Sequence, residues 1–180
     1  TSRRQRQMCI RDSFSSEWFY QGELKSAPEV KYRSILDYDT PIEWINTEGM
    51  ECNEEFVGES FGRINKEEAA LSISQLTNYI NKIGKDRFLE ERIDVGLISP
   101  YKAQVQYLRQ LIKRDTFFKP YRHLITINTV DGFQGQERDV ILISLVRANE
   151  EGQIGFLNDL RRMNVAITRA RMKLIISVSY

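Results

Sequence analysis

The chain has little cysteine, almost no histidine and no long apolar run. Two cysteines, Cys9 and Cys52, cannot build a disulfide framework, and no Cys/His cluster has zinc-site spacing. The single histidine, His123, lacks the company a metal or catalytic role needs and is expected as a partly exposed turn residue. No apolar stretch approaches the roughly 20 residues that cross a bilayer. The first residues hold no apolar secretory core, so no membrane partner is expected. Excess charge of either sign is missing as well: 26 Lys and Arg against 25 Asp and Glu leave +1. There is no internal repeat. What is present, 180 residues at 41% hydrophobic and 28% charged, suits one ordinary domain with a sizeable core.

The first thirteen residues, TSRRQRQMCIRDS, have no periodicity and cluster their arginines. From Arg3 to Asp12 they resemble the in-frame translation of a transposase-end adapter used in sequencing libraries. Residues 1–13 are therefore expected to be foreign, and 14–180 to be one domain cut at both ends. The competing reading is a disordered basic arm. Four arginines against Asp12 give that stretch +3, so the remainder of a chain of net charge +1 carries −2. A globally basic grip on nucleic acid is therefore not indicated, and any such contact must be local.

Two apolar periodicities alternate along the rest. Ile42 to Asn46 reads as a short strand and Gly49 to Gly62 as an irregular acidic loop. Asn65, with Glu68 three residues on, signals a helix start of the capping-box kind. That helix runs on Ala69, Leu71, Ile73, Leu76, Tyr79 and Ile80 until Gly84 stops it. Gly84-Lys85 invites a phosphate-loop reading, but no GxxxxGK precedes it and Asp86 replaces Ser/Thr, so a helix C-cap explains it. Ile93 to Ser99 is an apolar strand ended by Pro100. The helix after it places Val105, Leu108, Leu111 and Ile112 on one side. Arg114 to Arg122 reads as a loop with exposed aromatics. Val140 to Val146 is apolar without alternation, as in a strand covered on both faces. Asp159 to Arg171 carries arginines at helical spacing, and Lys173 to Val178 is a final strand. Strands separated by helical crossovers imply an α/β fold, a mainly parallel sheet covered by helices on both faces.

Chemistry concentrates between Leu124 and Arg171. Gly132 and Gly135 let backbone amides approach a ligand, and Thr129, Asp131, Gln134 and Glu137 crowd short polar groups around the same turn. Arg162 and Arg169 are seven apart, near one face if helical, and a guanidinium can form two hydrogen bonds to a phosphate. Strand, glycine turn, buried strand and arginine-bearing helix together suit a phosphate site at a sheet edge.

These residues resemble a known family. TVDGFQGQE (129–137) looks like motif V, RRMNVAITRAR (161–171) like motif VI and SPYKAQVQYLRQLI (99–112) like motif IV of superfamily 1 helicases, in their 5′-to-3′ branch. Weaker resemblance runs over nearly all of the chain from Phe14. The segment FSSEWFYQGELKSAP resembles the stretch just after the family's QYR-type motif. Trp18, Phe19 and Tyr20 in it offer base-stacking rings, though core packing is the stronger reading.

The resemblance implies the second RecA-like domain, of P-loop NTPase fold, in a two-domain motor that moves along single-stranded DNA or RNA. Arg169 would be the arginine finger on a γ-phosphate, with Gln134 and Glu137 also catalytic. Gly135, Glu137 and one of Arg63 or Lys66 would help bind nucleotide, and spacing does not decide between those two cations. Thr129, Asp131, Ser99, Pro100, Tyr101 and Lys102 would meet nucleic acid; a simple turn is the alternative for Tyr101 and Lys102. The carboxyl edges of the strands would face both ligands, with Thr129 to Glu137 linking them. ATP with Mg²⁺ would be bound mainly by the first RecA-like domain. Its Walker A lysine and Walker B pair are missing from this sequence, so the chain alone is not expected to hydrolyse ATP. No metal site is expected here, and an intracellular location follows from the family. Two rivals remain: a non-enzymatic nucleic-acid-binding module, against which Gln134, Glu137 and Arg169 argue, and part of a helicase–nuclease fusion.

Overall fold

The computed structural model describes residues 34–47, 50, 53–58, 62–146 and 159–178. The adapter-like stretch, the Trp18 to Tyr20 rings and the segment after them lie outside the described residues. Seven strands and four α-helices are described. They are β1 (Ile42–Asn46), β2 (Glu55–Val57), β3 (Gly62–Ile64), α1 (Lys66–Ile83), α2 (Lys85–Glu90), β4 (Val95–Ser99), α3 (Lys102–Arg114), β5 (Ile125–Thr129), β6 (Arg138–Ser144), α4 (Leu160–Ile167) and β7 (Ala170–Val178). Five strands form one sheet in the order β1-β7-β6-β4-β5, every pairing parallel. β2 and β3 form a separate antiparallel hairpin, β2 inside the stretch 49–62 expected to be irregular and β3 beginning at its last residue.

The unalternating apolar strands have two buried faces, and their side chains divide between them. Val95, Leu97, Val140, Leu142 and Ile175 point to the core filled by α1, α2 and α3 through Leu76, Ile80, Phe88, Val105 and Leu108. Ile98, Ile141, Ile143, Leu174 and Ile176 point to the other, filled by Met163, Ala166 and Ile167 of α4 and by Val130 and Phe133. The expected doubly covered sheet is thus what the chain forms.

Three local expectations are corrected. Phe118 and Tyr121, in the supposed exposed loop 114–122, are buried; their rings and those of Phe117 and Phe88 pack within 5.1–5.5 Å of one another. Asn65 does cap α1, accepting from the Glu68 N–H at 2.9 Å. Yet the Glu68 carboxylate does not return to the Asn65 N–H, which donates instead to Gln104 Oε1 at 3.0 Å. Most consequential, the helix expected over 159–171 ends at Ile167, and Arg171 stands in β7. Pairing of Ala170 with Arg138 on the sheet wins over helical continuation. Gly84, by contrast, does act as the C-cap, its N–H donating to Ile80 O at 2.9 Å.

The route from β5 to β6 is unusual. Parallel strands normally need a dozen or more residues between them, but only residues 130–137 separate Thr129 from Arg138, although β4 lies between β5 and β6. The segment crosses the face of β4 opposite α3, through one 3₁₀ turn (Asp131–Phe133), and seats the fully buried Phe133 ring beside Gly96. A Cβ on Gly96 would come within 2.7 Å of Ile141 Cδ1 and 2.8 Å of the Phe133 ring. Gly96→Ala is therefore expected to cost about 1–3 kcal/mol by overpacking, measured by urea unfolding. An unchanged midpoint would mean the crossover is not seated against β4.

A crossover joining two edges of the sheet

Thr129 ends β5 opposite Ser99 of β4, at the carboxyl edge. Its hydroxyl accepts the Gly132 N–H at 3.4 Å, and the backbone then folds as Phe133 N–H to Val130 O at 3.1 Å. Gly135 takes φ +76°, a left-handed conformation that suits glycine. Gln134, Gly135 and Gln136 are exposed there, and a Cβ built on Gly135 meets nothing within 4 Å, so a ligand has room to approach this backbone.

Eight residues after Thr129 the chain is at the opposite edge. The Arg138 N–H donates to Arg169 O at 2.9 Å, where β6 and β7 begin. Arg138 braces this end: its guanidinium donates to Glu137 O (2.8 Å), Gln136 Oε1 (3.1 Å) and Thr126 Oγ1 (3.3 Å), and lies 5.6 Å from the centre of the Phe133 ring. The expectation that carboxyl edges carry everything is corrected here. Thr129 is at the carboxyl edge, but the backbones of Glu137 and Arg169 are at the amino edge, because each directly precedes a strand of the parallel sheet, β6 and β7.

Arg169 lies two residues beyond α4, half-buried. Its guanidinium turns back along the helix, Nε donating to Val165 O (3.0 Å) and Nη2 to Thr168 Oγ1 (3.1 Å). The sevenfold spacing to Arg162 therefore does not put both on one helix face. Arg162 instead joins the two motif segments directly, pairing with Asp131 at 2.8 Å and, more distantly, with Asp159 at 3.7 Å. Both partners are at least half exposed, so the pair adds little stability.

The other predicted positions divide. Ser99 is fully buried, and its oxygen accepts the Tyr101 N–H at 3.5 Å, whereas Pro100 and Tyr101 are half-buried and Lys102 is exposed. Ser99 thus has no surface to offer a nucleic acid. Arg63 pairs with Glu54 and stands 4.3 Å from the centre of the Phe56 ring, and Lys66 pairs with Glu55 at 2.8 Å, so hairpin carboxylates hold both candidate cations. His123 is exposed in a 3₁₀ turn, as expected.

Two polar clusters went unread in the sequence. At the amino edge Arg171 bridges Asp94 (2.7 Å) and Asp139 (3.0 Å), tying β7 to the entries of β4 and β6. Burial, and then the charge of Asp94, hold the Asp139 carboxyl above its ordinary range. At the carboxyl edge the fully buried Glu68 carboxylate accepts the Ser144 hydroxyl and the Val146 N–H, at 3.0 and 3.1 Å to its two oxygens. Gln104 joins them through Ser144 Oγ (3.0 Å) and Asn65 O (2.9 Å). Burial pushes Glu68 up from 4.5 to about 7, against the hydrogen bonds, which favour the ion. The legible signal was Glu68 and Gln104 at helix starts; their partners come from remote strands.

A five-stranded parallel sheet, covered on both faces and crossed by a polar glycine turn, defines a RecA-like α/β domain. A family profile described as "AAA domain" matches residues 4–179. An uncharacterized ATP-dependent helicase of Methanocaldococcus jannaschii is 38% identical over 178 residues, taking in 91% of this chain and 24% of the relative. The DNA polymerase alpha-associated DNA helicase A of Saccharomyces cerevisiae is 35% identical over 179 residues, with 91% and 25% covered. A regulator of nonsense transcripts 1 homolog of Drosophila melanogaster is 36% identical over 173 residues, with 91% and 14% covered. The chain belongs to this AAA domain family, among superfamily 1 helicases, and spans a quarter or less of the length of these curated relatives.

The two clusters make opposite predictions. Arg171→Ala removes the cation between two carboxylates and is expected to cost about 1–2 kcal/mol, discounted because Arg171 is partly exposed. The loss should shrink in acid as Asp139 takes a proton; a neutral effect at pH 7.5 in urea unfolding would contradict this. Glu68 has its folded pKa raised above the unfolded one, so the neutral form favours folding. Its contribution is full below about pH 4.5 and is lost as pH rises toward about 7. The melting temperature of the native chain relative to Glu68→Gln should therefore fall between pH 5 and 8. A difference that grows with pH would show that the ion is the favoured form.

Proposed function

We propose that this chain is the second RecA-like motor domain of an ATP-dependent helicase that moves along single-stranded nucleic acid. The supporting observation is the crossover 130–137, which joins Thr129 at one edge of the sheet to Glu137 and Arg169 at the other. In this reading Thr129, with Asp131, Pro100, Tyr101 and Lys102 near it, meets the sugar-phosphate strand. Glu137, Gln134 and the open backbone at Gly135 face nucleotide. The exposed backbone at Gly135 and the Arg169 guanidinium suit phosphate oxygens, and Lys66 at the start of α1, or Arg63 in β3, is the further nucleotide candidate. ATP supplies the phosphoanhydride whose hydrolysis drives the motor, with Mg²⁺ held by the first RecA-like domain.

Arg169 acts as the finger. Its guanidinium bonds Val165 O and Thr168 Oγ1 in this structure, and a planar fork of this kind can form two hydrogen bonds to a phosphate. The stabilisation it gives grows with charge on the transferring phosphoryl group, so it lowers the barrier more than it tightens binding. A strand shift at Thr129 and a shift at Arg169 are then two ends of one movement.

In the full-length protein, Arg169→Ala should cut ATP turnover by roughly 10³, leave nucleotide affinity little changed and spare single-strand binding. Thr129→Ala should weaken single-strand binding and its salt dependence. A lower melting temperature with intact turnover in Arg169→Ala would end the finger reading. Equal losses of strand binding from both changes would end the division of labour.

A further inference from the structure

Val146 is a buried β-branched residue held at φ +71°. The left-handed region costs such a residue on the order of 1–3 kcal/mol, and the strain persists only where the surroundings over-determine it. Here the surroundings are the amino end of α1. The Val146 N–H is taken by both oxygens of Glu68, and its carbonyl by Asn65 Nδ2 at 3.3 Å. Both backbone polar groups of one strained residue are thus held by one helix start. The same Glu68 receives the Ser144 hydroxyl, and Gln104 in the first turn of α3 donates to Ser144 Oγ.

These contacts connect three pieces that the proposed function uses separately. Asn65 adjoins Lys66, a nucleotide candidate. Gln104 follows Tyr101 and Lys102, the strand-facing candidates. Ser144 ends β6 and Val146 lies two residues beyond it; α4 and Arg169 come next among the described elements in sequence order. We propose that Glu68 is a positioning residue: acting through Val146 and Ser144, it fixes where β6 releases the chain toward the arginine finger and holds that point in register with the first turns of α1 and α3. The inference rests on the motor reading above.

An ordinary core residue would have been simpler. An apolar side chain at 68 would fill the space but leave the Val146 N–H without an acceptor, and the left-handed turn without the bond that retains it. Ionised, above the pH of about 7 at which burial lets Glu68 lose its proton, the carboxylate offers two acceptor oxygens to one N–H and one hydroxyl. An amide offers one acceptor and sets its NH₂ against a donor. Glu68→Gln therefore keeps size and burial while loosening Val146.

The test uses the full-length protein with saturating single-stranded oligonucleotide, comparing wild type, Arg169→Ala, Glu68→Gln and Ser144→Ala at a temperature well below all four melting transitions. Glu68→Gln should lower kcat for ATP by about ten- to a hundred-fold, as small misplacements of reacting groups do, with KM for ATP within about twofold. Ser144→Ala, which removes one donor and no charge, should show a smaller fall of the same kind; it carries the test if Glu68→Gln does not fold. A lowered melting temperature with wild-type kcat in either variant, while Arg169→Ala is inactive, would overturn the positioning role and leave the motor reading standing. Turnover that survives Arg169→Ala would overturn the motor reading, and this inference with it.

Discussion

The packing of Phe133 against Gly96 is the contact on which the arrangement of this domain depends. Because Gly96 has no side chain, the fully buried Phe133 ring lies against the face of β4 where a Cβ would come within 2.8 Å of it. That allows eight residues to span what usually takes a dozen. It also keeps the turn flat on the sheet, so Thr129 leaves one edge and Arg138 enters at the other. A bulkier residue at 96 would lift the turn, and the hydrogen bond from Arg138 to Arg169 O would be displaced with it.

Charge is handled differently at the two edges. At the amino edge, two cations are each paired with more than one carboxylate: the half-exposed Arg171 with Asp94 and Asp139, and the almost wholly buried Lys173 with Asp39 and Glu43, and with Thr40 O. Such pairs are costly to break, because the remaining partner is left desolvated. They fix the entries of β4, β6 and β7, and with them the backbone of Arg169. At the carboxyl edge the Glu68 carboxylate is buried without a cation among the described residues and is held by hydrogen bonds. The first edge is rigid by ion pairing. The second is tuned by a group that titrates near neutrality.

Much of the fold was legible because parallel strands covered on both faces read as apolar runs without alternation, as Val140 to Val146 does apart from Ser144. The caps at Asn65 and Gly84 were legible for a local reason: their bonds lie within four residues of the cap. Arg171 was misjudged because helical spacing continued to it, while the decisive partners, Asp94 and Asp139, lie 77 and 32 positions away. The loop 114–122 was misjudged because its aromatics bury against Phe88 from another element. Of the candidate site, the residue types and their order in 129–137 were visible. Their distribution over two opposite edges was not, since it depends on Phe133 finding Gly96, and no periodicity encodes that meeting.

If one seated segment carries information between the edges, nucleotide and strand must be thermodynamically linked through it. The direct measurement is single-strand affinity of the full-length protein with and without a non-hydrolysable ATP analogue, in wild type and in Phe133→Leu, which shrinks the side chain that seats the crossover. Wild type should show a clear difference between the two nucleotide states, and Phe133→Leu should lose most of that difference while still binding each ligand. A variant that folds, binds both ligands and keeps the full nucleotide effect on strand affinity would contradict coupling through the crossover.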